Sequence, residues 1–255
     1  MQEYWELYMK NLEGKAALIQ FNAGISMDME DLEYTHQTVG FVKAKLKDAN
    51  EKGFIREDEE PEILFMEDKL ESSMLKFRIG KYVGRIVSDG YVTFLYYLQF
   101  TYNWSDFIEY ALNEHTSYEI SNGHSHDSDW NYYKKLLYPT AKEWQIIQNH
   151  KVCDNLKEQG DNLQTPRAIE HKVYYKNEKI KDSLIQALEK EGFKIKKEIE
   201  NEEGVKGLDF YRLDKPFYHD IDDLTLNLIE ITEFYEAQYD GWETSVVKSV
   251  MKQGL

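Results

Sequence analysis

Two stretches of the chain repeat one order of strand-like and helix-like patterns, and this order constrains the fold most. In residues 38–121, and again in 166–247, apolar residues recur with strand or helix periodicity in the order strand, helix, strand, strand, helix, strand. The order βαββαβ defines a ferredoxin-like sandwich. We therefore predict an α+β chain with two ferredoxin-like βαββαβ sandwiches in tandem, the first with an extra N-terminal β-hairpin and trailing helices.

Turn and helix signals support the first repeat. Trp5, Leu7 and Met9 alternate with polar residues, and a turn at 11–14 completes the extra hairpin. Asp89-Gly90 separates two further alternating runs, which is a strong hairpin signal. One helix, expected to close at Gly80, has the following apolar residues at helical spacing: Ile63, Met66, Leu70, Met74 and Phe77. The last strand is expected around 118–120, and the trailing helices at roughly 129–137 and 140–159.

The polar, turn-rich segment 160–166 is the predicted domain boundary, which gives a first domain of 1–160 and a second of 166–255. In the second domain, His171 shares strand parity with three apolar residues, so we expect a hydrogen-bonded core histidine there. Asp220 is the expected N-cap of the last helix. The last strand is expected at 239–247.

The charge of the chain excludes some classes of partner. Lys and Arg number 31 against 47 Asp and Glu, a net charge of −16. Direct nucleic-acid binding and membrane binding are disfavoured because both need basic surfaces, whereas a basic protein partner suits this field. The single cysteine excludes an internal disulfide, and the N-terminus lacks the pattern of a signal peptide, so a cytoplasmic location is expected.

One candidate metal site is the segment Gly123–Asp129. His124 and His126 lie two residues apart, and on a strand or loop they could share a divalent metal with Asp127 or Asp129. The alternative is a polar loop in which Asp127 or Ser128 caps the next helix. We favour the loop, because no third ligand belongs to a recognisable metal motif. No metal or other cofactor is therefore predicted.

A second candidate is His150 and Cys153, which lie three apart on a predicted helix and could form a thiolate–imidazolium pair. A helical cysteine is more often a small buried hydrophobe. The chain also lacks the common hydrolase, nucleotide-binding and zinc-protease motifs. We therefore predict no catalytic residues.

The most specific motif is Tyr239-Asp240-Gly241-Trp242-Glu243-Thr244. A glycine inside a strand indicates a bulge, and Tyr239 and Trp242 are residue types that anchor interfaces. On the preceding helix, Glu230 and Glu233 lie away from the apolar side. We predict partner binding by Tyr239, Asp240, Trp242, Glu230 and Glu233. The alternative is a core tryptophan beside a solvated helix face.

These motifs resemble two known families. The second half resembles the regulator of ribonuclease activity B family, an acidic inhibitor of the endoribonuclease called ribonuclease E. The match covers roughly 165–247 and rests on Ile169-Glu170-His171, Gly192-Phe193 and the Tyr239–Thr244 motif. The first half resembles the bacterial domain of unknown function numbered 695, through Trp5, Tyr82-Val83-Gly84-Arg85, Asp129-Trp130 and Leu137-Tyr138-Pro139.

The resemblance implies a non-catalytic, acidic regulator that binds a basic protein, with an RNA-processing endoribonuclease as the candidate target. Two alternatives remain open at this point. One is a metal-dependent enzyme that uses the His124/His126 loop. The other is an immunity-like or antitoxin-like binder of a basic toxin.

Overall fold

The computed structural model describes residues 4–113 and 117–248. It divides the chain into two compact units, Met1–Pro139 and Thr140–Leu255. Each unit has its own antiparallel sheet with helices, so the predicted α+β class is confirmed. Within the described residues, no helix is both long and apolar enough to cross a bilayer.

The first unit has a six-stranded sheet. Its elements are β1 (Trp5–Leu12), β2 (Lys15–Asn22), a 3-10 helix (Ala23–Asp28), α1 (Met29–Thr35), β3 (Thr38–Lys45), α2 (Glu60–Phe77), β4 (Gly80–Ser88), β5 (Tyr91–Leu98), α3 (Trp104–Ala111), β6 (Ile120–His126) and a π-helical turn (Tyr132–Leu137). The strand order is β1-β2-β4-β5-β3-β6. From β3 to β6 the elements follow the expected βαββαβ order, and the β1–β2 hairpin is added beside β4.

Both predicted hairpins are present in this unit. Their two-residue turns, Glu13-Gly14 and Asp89-Gly90, have positive φ at both residues, at 53° and 87° in the first and 54° and 78° in the second. Positive φ at both positions gives a turn whose twist matches that of the paired strands. The short turn therefore fixes the register in each hairpin.

The strand β1 is most buried on the side that carries Glu6 and Tyr8. Leu7 and Met9 are exposed, whereas Glu6 and Tyr8 are buried. The ring of Tyr8 packs edge-on against Phe21 at 5.8 Å, and its hydroxyl donates to the carbonyl of residue 137. Because side chains alternate along a strand, burying this tyrosine turns its apolar neighbours outward.

The core face of α2 follows the predicted spacing up to its last turn. Ile63, Met66, Leu70 and Met74 are buried, but Phe77 is exposed. The helix ends because Arg78 adopts the left-handed conformation, with φ at 52°, and its N–H bonds the last turn's carbonyls. Gly80, the expected terminator, is instead the first residue of β4.

The opposite face of the first sheet is covered by the segment that follows β6. Trp130 is fully buried and stacks on Tyr97, with ring centroids 3.7 Å apart. Asp127 accepts hydrogen bonds from the Tyr97 hydroxyl at 2.6 Å and from the N–H groups of Asn131 and Tyr132 at 3.0 Å. Burial opposes the charged form, but these donors hold the pKa of Asp127 below its ordinary value.

The second unit has a four-stranded sheet. Its elements are α4 (Ala141–Glu158), β7 (Arg167–Tyr175), a 3-10 turn (Glu178–Ile180), α5 (Lys181–Lys190), β8 (Lys194–Glu200), β9 (Lys206–Asp214), α6 (Tyr218–Phe234) and β10 (Ala237–Thr244). The strand order is β10-β7-β9-β8, with every neighbouring pair antiparallel. The predicted last strand is thus present but begins two residues earlier, and α6 has Phe217, not Asp220, at its N-cap position.

The helix α4 belongs to the second unit, which differs from the predicted first domain of 1–160. Cys153 and Leu156 on α4 are buried in one apolar cluster with Ile169 of β7. Thr140 starts the helix with a capping box to Glu143. The chain divides into its two compact units between Pro139 and Thr140, so the segment 160–166 lies within the second unit.

The segment 160–166 is polar for a structural reason. Asp161 is buried and accepts hydrogen bonds from the N–H groups of Leu163 at 2.8 Å and Val247 at 2.7 Å. Its carboxylate also lies 2.8 Å from the guanidinium of Arg167. Polar residues here accept hydrogen bonds from buried backbone N–H groups. The segment therefore has the composition of a linker but is a packed loop.

Replacing Asp127 tests how the first unit is held. We expect Asp127→Ala to lower the free energy of unfolding by about 2–4 kcal/mol, because it leaves the Tyr97 hydroxyl and two N–H groups without their acceptor. Urea unfolding of the full chain measures the loss. Asp129→Ala, which removes an exposed carboxylate two residues away, is the matched control. Equal losses in the two variants would contradict this role.

Candidate protein-binding surface

A bulge in β10 decides where the predicted anchor residues lie. Tyr239 is opposite Val173, but Gly241 is opposite the neighbouring residue Lys172, so Asp240 is an extra residue in the strand. Gly241 has φ at 109°, in the left-handed region that favours glycine. The predicted bulge is confirmed.

The bulge turns both aromatic residues of the motif inward. In a regular strand, residues 239 and 242 would face opposite sides, but the extra residue places both on the helix side. The Tyr239 hydroxyl lies 2.8 Å from Nδ1 of His171, and Trp242 Nε1 donates to Oδ1 of Asn149 at 2.8 Å. Asp240 is exposed. The two aromatic residues therefore pack inside the unit, and Asp240 lies outside.

His171 is the buried histidine expected from strand parity. It is fully buried, and its ring stacks on Phe210 with centroids 5.5 Å apart. Burial lowers the pKa of His171 to about 3, so the imidazole is neutral at physiological pH. A neutral ring bonded to Tyr239 is a packing element.

Asn149 is the centre of a buried polar network that sequence reasoning missed. It is fully buried on α4, and its Nδ2 donates to Asp222 and to Thr225 of α6, both at 2.8 Å. Its Oδ1 accepts from Trp242 of β10 and from Gln145 at 2.9 Å. One side-chain amide thus joins α4, α6 and β10. Its position in line with Cys153 and Leu156 on the inner side of α4 was the available signal.

The candidate pair of His150 and Cys153 does not form in the structure. The Cys153 thiol is buried and donates to the carbonyl of Pro216 at 3.3 Å, and burial raises its pKa to about 12. His150 Nε2 bonds Asp222 at 2.9 Å instead. Because the thiolate is the reactive form, this cysteine is a core residue.

The histidines of the candidate metal site lie on a strand. β6 extends to His126, which is longer than the predicted strand at 118–120, and His124 and His126 are exposed opposite Gly40 and Thr38 of β3. Asp127 accepts hydrogen bonds from the N–H groups of Asn131 and Tyr132, where the next helical turn begins, although the N-cap position is Asn131. Within the part of the chain that the structure describes, no three potential metal ligands lie together.

The exposed side of α6 is acidic and ends in an aromatic residue. Glu230 and Glu233 lie on it as predicted, together with Asp223. Phe234 is 79% exposed in the last turn. The sequence analysis missed Asp223 and Phe234, although both fall outside the apolar spacing of the helix. Nζ of Lys142 on α4 lies 2.8 Å from Oε1 of Glu230 and forms an ion pair with it.

The outer face of the second sheet has balanced charges. Lys196 lies 2.6 Å from Glu170, and Lys172 lies 3.3 Å from Glu243. Lys196 also approaches Asp209, a buried carboxylate, at 3.9 Å. This alternation resembles a solvated sheet face with opposite charges paired across strands. The side of α6 with the exposed Asp223, Glu230 and Glu233 is more acidic than this balanced sheet face.

Two protein-family models match the chain, one in each half. A model described as a family of unknown function, DUF695, matches residues 3–138, more than half of the chain. The chain belongs to this DUF695 family. A second model, described as regulator of ribonuclease activity B, matches residues 146–244. The second match begins inside α4, which agrees with the place of this helix in the second unit.

Comparisons with curated proteins and with solved structures give no further information on fold or function. No curated protein matches the chain. An unknown protein from Galdieria sulphuraria is 12% identical over 81% of this chain and 97% of its own, with a TM-score of 0.21. A hypothetical protein is 8% identical over 96% of this chain and 100% of its own, also with a TM-score of 0.21. Both scores are too low to bear on fold or function.

Removing the central amide should loosen the second unit. We expect Asn149→Ala to lower the free energy of unfolding by about 2–4 kcal/mol, because Trp242 Nε1 loses its acceptor inside the unit. Asn155→Ala, on the exposed side of the same helix, is the control. Urea unfolding of both full-length variants measures the difference. Similar urea midpoints for Asn149→Ala and Asn155→Ala would show that this network does not stabilise the second unit.

His150 should give the second unit a pH dependence. Its hydrogen bond to Asp222 raises its pKa above the ordinary value, so protonated His150 stabilises the fold below about pH 6.5. This contribution is lost as the pH rises through the higher folded pKa. His36 and His171 have lowered pKa values and change charge below this window.

The measurement is the melting temperature at pH 6.5 and pH 8.5. We expect it to fall more in the wild-type protein than in His150→Gln. His219→Gln, which changes a histidine with an 82% exposed side chain, should keep the wild-type slope. If the melting temperature of His150→Gln falls with pH as much as that of the wild-type protein, the pair of His150 and Asp222 does not contribute to the pH dependence of stability.

Proposed function

We propose that the chain is a non-catalytic regulator whose second unit binds a basic protein, an RNA-processing endoribonuclease. The observation that carries the proposal is the acidic side of α6, formed by Asp223, Glu230, Glu233 and Phe234, in the unit matched by the ribonuclease-regulator model. The family name supports a regulatory role, and the charge and exposure of this surface support its use for binding.

The chemistry of this surface, the α6 face, suits a basic protein. Exposed aromatic residues at the centre of an interface supply most of the binding energy, and Phe234 is the large apolar side chain available on this face. The carboxylates around it would steer a basic partner and discriminate against acidic ones. A ribonuclease binds RNA through Lys and Arg, so the α6 face would compete with RNA phosphates for the same basic groups.

Tyr239, Trp242 and Asp240 have different parts in this proposal. The two aromatic residues act from inside, because they fix β10 and, through Asn149, the position of α4 beside α6. Asp240 is exposed at the bulge, and there it would add a carboxylate available to a basic partner. The predicted set of five is thus divided between residues that contact the partner and residues that hold the surface in shape.

The test is RNA cleavage by a ribonuclease E-type enzyme from the same cell, with and without the full-length protein. We expect saturating protein to slow cleavage, with an effect that weakens as salt rises because the contacts are ionic. Unchanged cleavage at saturating protein would contradict the proposal.

Charge and aromatic variants assign the effect to α6. We expect Asp223→Asn, Glu230→Gln and Glu233→Gln together to raise the half-inhibitory concentration at least tenfold, and Phe234→Ala alone to do the same, about 1.4 kcal/mol or more. The matched controls are Asp58→Asn, Glu51→Gln and Glu109→Gln together, and Phe100→Ala, all at exposed sites of the first unit. If the control variants weaken inhibition as much as the α6 variants do, the enzyme does not bind at the α6 face.

A further inference from the structure

The edge strands of the two sheets differ in how well they are protected from pairing with another strand. The edges are β1 and β6 in the first sheet and β10 and β8 in the second. Lysines, bulges and inward-pointing charges protect an edge strand. β1 carries the buried carboxylate of Glu6, and β10 has the bulge at Asp240. β8 has a bulge and three lysines, Lys194, Lys196 and Lys197.

β6 is the edge strand without such protection. Its seven residues, Ile120–His126, include no lysine, arginine, carboxylate or proline. All seven pair with β3 in one continuous register, so the strand has no bulge. In a chain of net charge −16, this strand is an edge without carboxylates, along which two acidic molecules can approach each other.

Every second residue of β6 directs its backbone groups away from β3. The N–H of Lys45 donates to the carbonyl of Glu119, and the N–H of Asp127 donates to the carbonyl of Gln37, at the two ends of the ladder. In an antiparallel ladder such hydrogen-bonded pairs alternate with pairs whose N–H and C=O groups point outward. The outward groups of β6 therefore belong to Ile120, Asn122, His124 and His126. Among residues 4–113 and 117–248, no further strand pairs with them.

The middle of β6 is a glycine covered by an aromatic ring. A Cβ at Gly123 would lie 2.8 Å from Cε1 of Phe41, the residue opposite it in β3. The Phe41 ring thus extends over the glycine towards the edge of the sheet, and it is only partly buried. A strand added beside β6 would cover this ring and remove apolar surface from water.

We propose that β6 pairs with β6 of a second copy of this chain, antiparallel and around a two-fold axis at Gly123. This register gives the full overlap of the two strands. Ile120 lies opposite the partner's His126, and Asn122 lies opposite the partner's His124, with two backbone hydrogen bonds at each pair. Every outward N–H and C=O group of β6 then has a partner.

A second copy suits this edge better than a flexible peptide does. Its strand is already ordered, so pairing does not carry the entropy cost of fixing an extended peptide. The partner's Phe41 would contact Phe41 near the axis, which adds apolar burial that an arbitrary peptide does not supply. The joined sheet would end at β1 of each copy, where the buried Glu6 carboxylate opposes further pairing. The assembly therefore closes as a symmetric dimer.

Sedimentation equilibrium of the full-length protein tests for this dimer. A contact along one strand edge is smaller than a standard interface, so we expect a dissociation constant of about 1 μM to 1 mM. Because both copies are acidic, dimerisation should strengthen as salt rises, whereas binding of the ribonuclease should weaken. A monomer at every concentration and salt in this range would overturn the proposal.

A proline at residue 124 tests the outward backbone groups. His124→Pro removes an N–H that points away from β3, a position at which an edge strand tolerates proline. His124→Ala removes the same side chain but keeps the N–H, and it is the matched control. We expect the proline variant to dimerise at least tenfold more weakly and the alanine variant to change less than threefold. Equal dimerisation of the two variants would overturn the proposal.

Cysteine pairs test the register without the proline. In the proposed register Ser121 lies opposite the partner's Ser125 in a non-hydrogen-bonded pair, with Cα atoms about 4.5 Å apart, a separation that a disulfide can span. Both serines are exposed, and the native Cys153 is buried. We expect a mild oxidant to cross-link a mixture of Ser121→Cys and Ser125→Cys proteins into dimers, but neither protein alone. Cross-linking no greater in the mixture than in each protein alone would overturn the proposal.

Discussion

The buried amide of Asn149 is the interaction on which the second unit depends. It donates to α6 and accepts from β10, so three elements are positioned by one side chain. A buried amide that lost any of these partners would leave a polar group without compensation, at a cost comparable to a large share of a domain's stability. Such a network favours one arrangement of α4, α6 and β10, because a shift of any of them breaks hydrogen bonds of the buried amide.

The bulge at Asp240 makes this network possible. Without the extra residue, Tyr239 and Trp242 would lie on opposite faces of β10, and only one could reach the helices. With it, both aromatic residues are used inside, and the exposed positions nearby are acidic. The roles in our proposal follow from this geometry. The interior aromatic residues hold α4 and α6 in place, and the carboxylates and Phe234 on the outer side of α6 contact the partner.

Much of the fold could be predicted from local patterns. The alternation that includes His171 and the Asp89-Gly90 turn are short-range signals, and both elements are present as expected. Which side of a strand is buried is a long-range property, and in β1 Tyr8 is held by the carbonyl of Leu137, more than a hundred positions away. The compact units divide at Pro139 and Thr140, before the predicted boundary segment 160–166. The segment resembles a linker in sequence because the partner of Asp161, the N–H of Val247, is distant along the chain.

The candidate surface was only partly visible in the sequence. Glu230 and Glu233 stand out as an acidic helix face, but the inward orientation of Trp242 depends on the bulge, whose exact position a glycine does not give. Phe234 resembles one more apolar residue of the helix unless its offset from Leu228 and Ile231 is counted. Sequence patterns therefore located the region, and the structure assigned its residues to the inside or the outside.

Hydrogen exchange of the full-length protein, alone and with a ribonuclease E-type enzyme, tests the central claim most directly. The account predicts slower exchange in Tyr218–Phe234 on addition of the enzyme, with smaller changes at the bulge of β10. Protection confined to the outer face of the second sheet or to the first unit, with α6 unchanged, would contradict it.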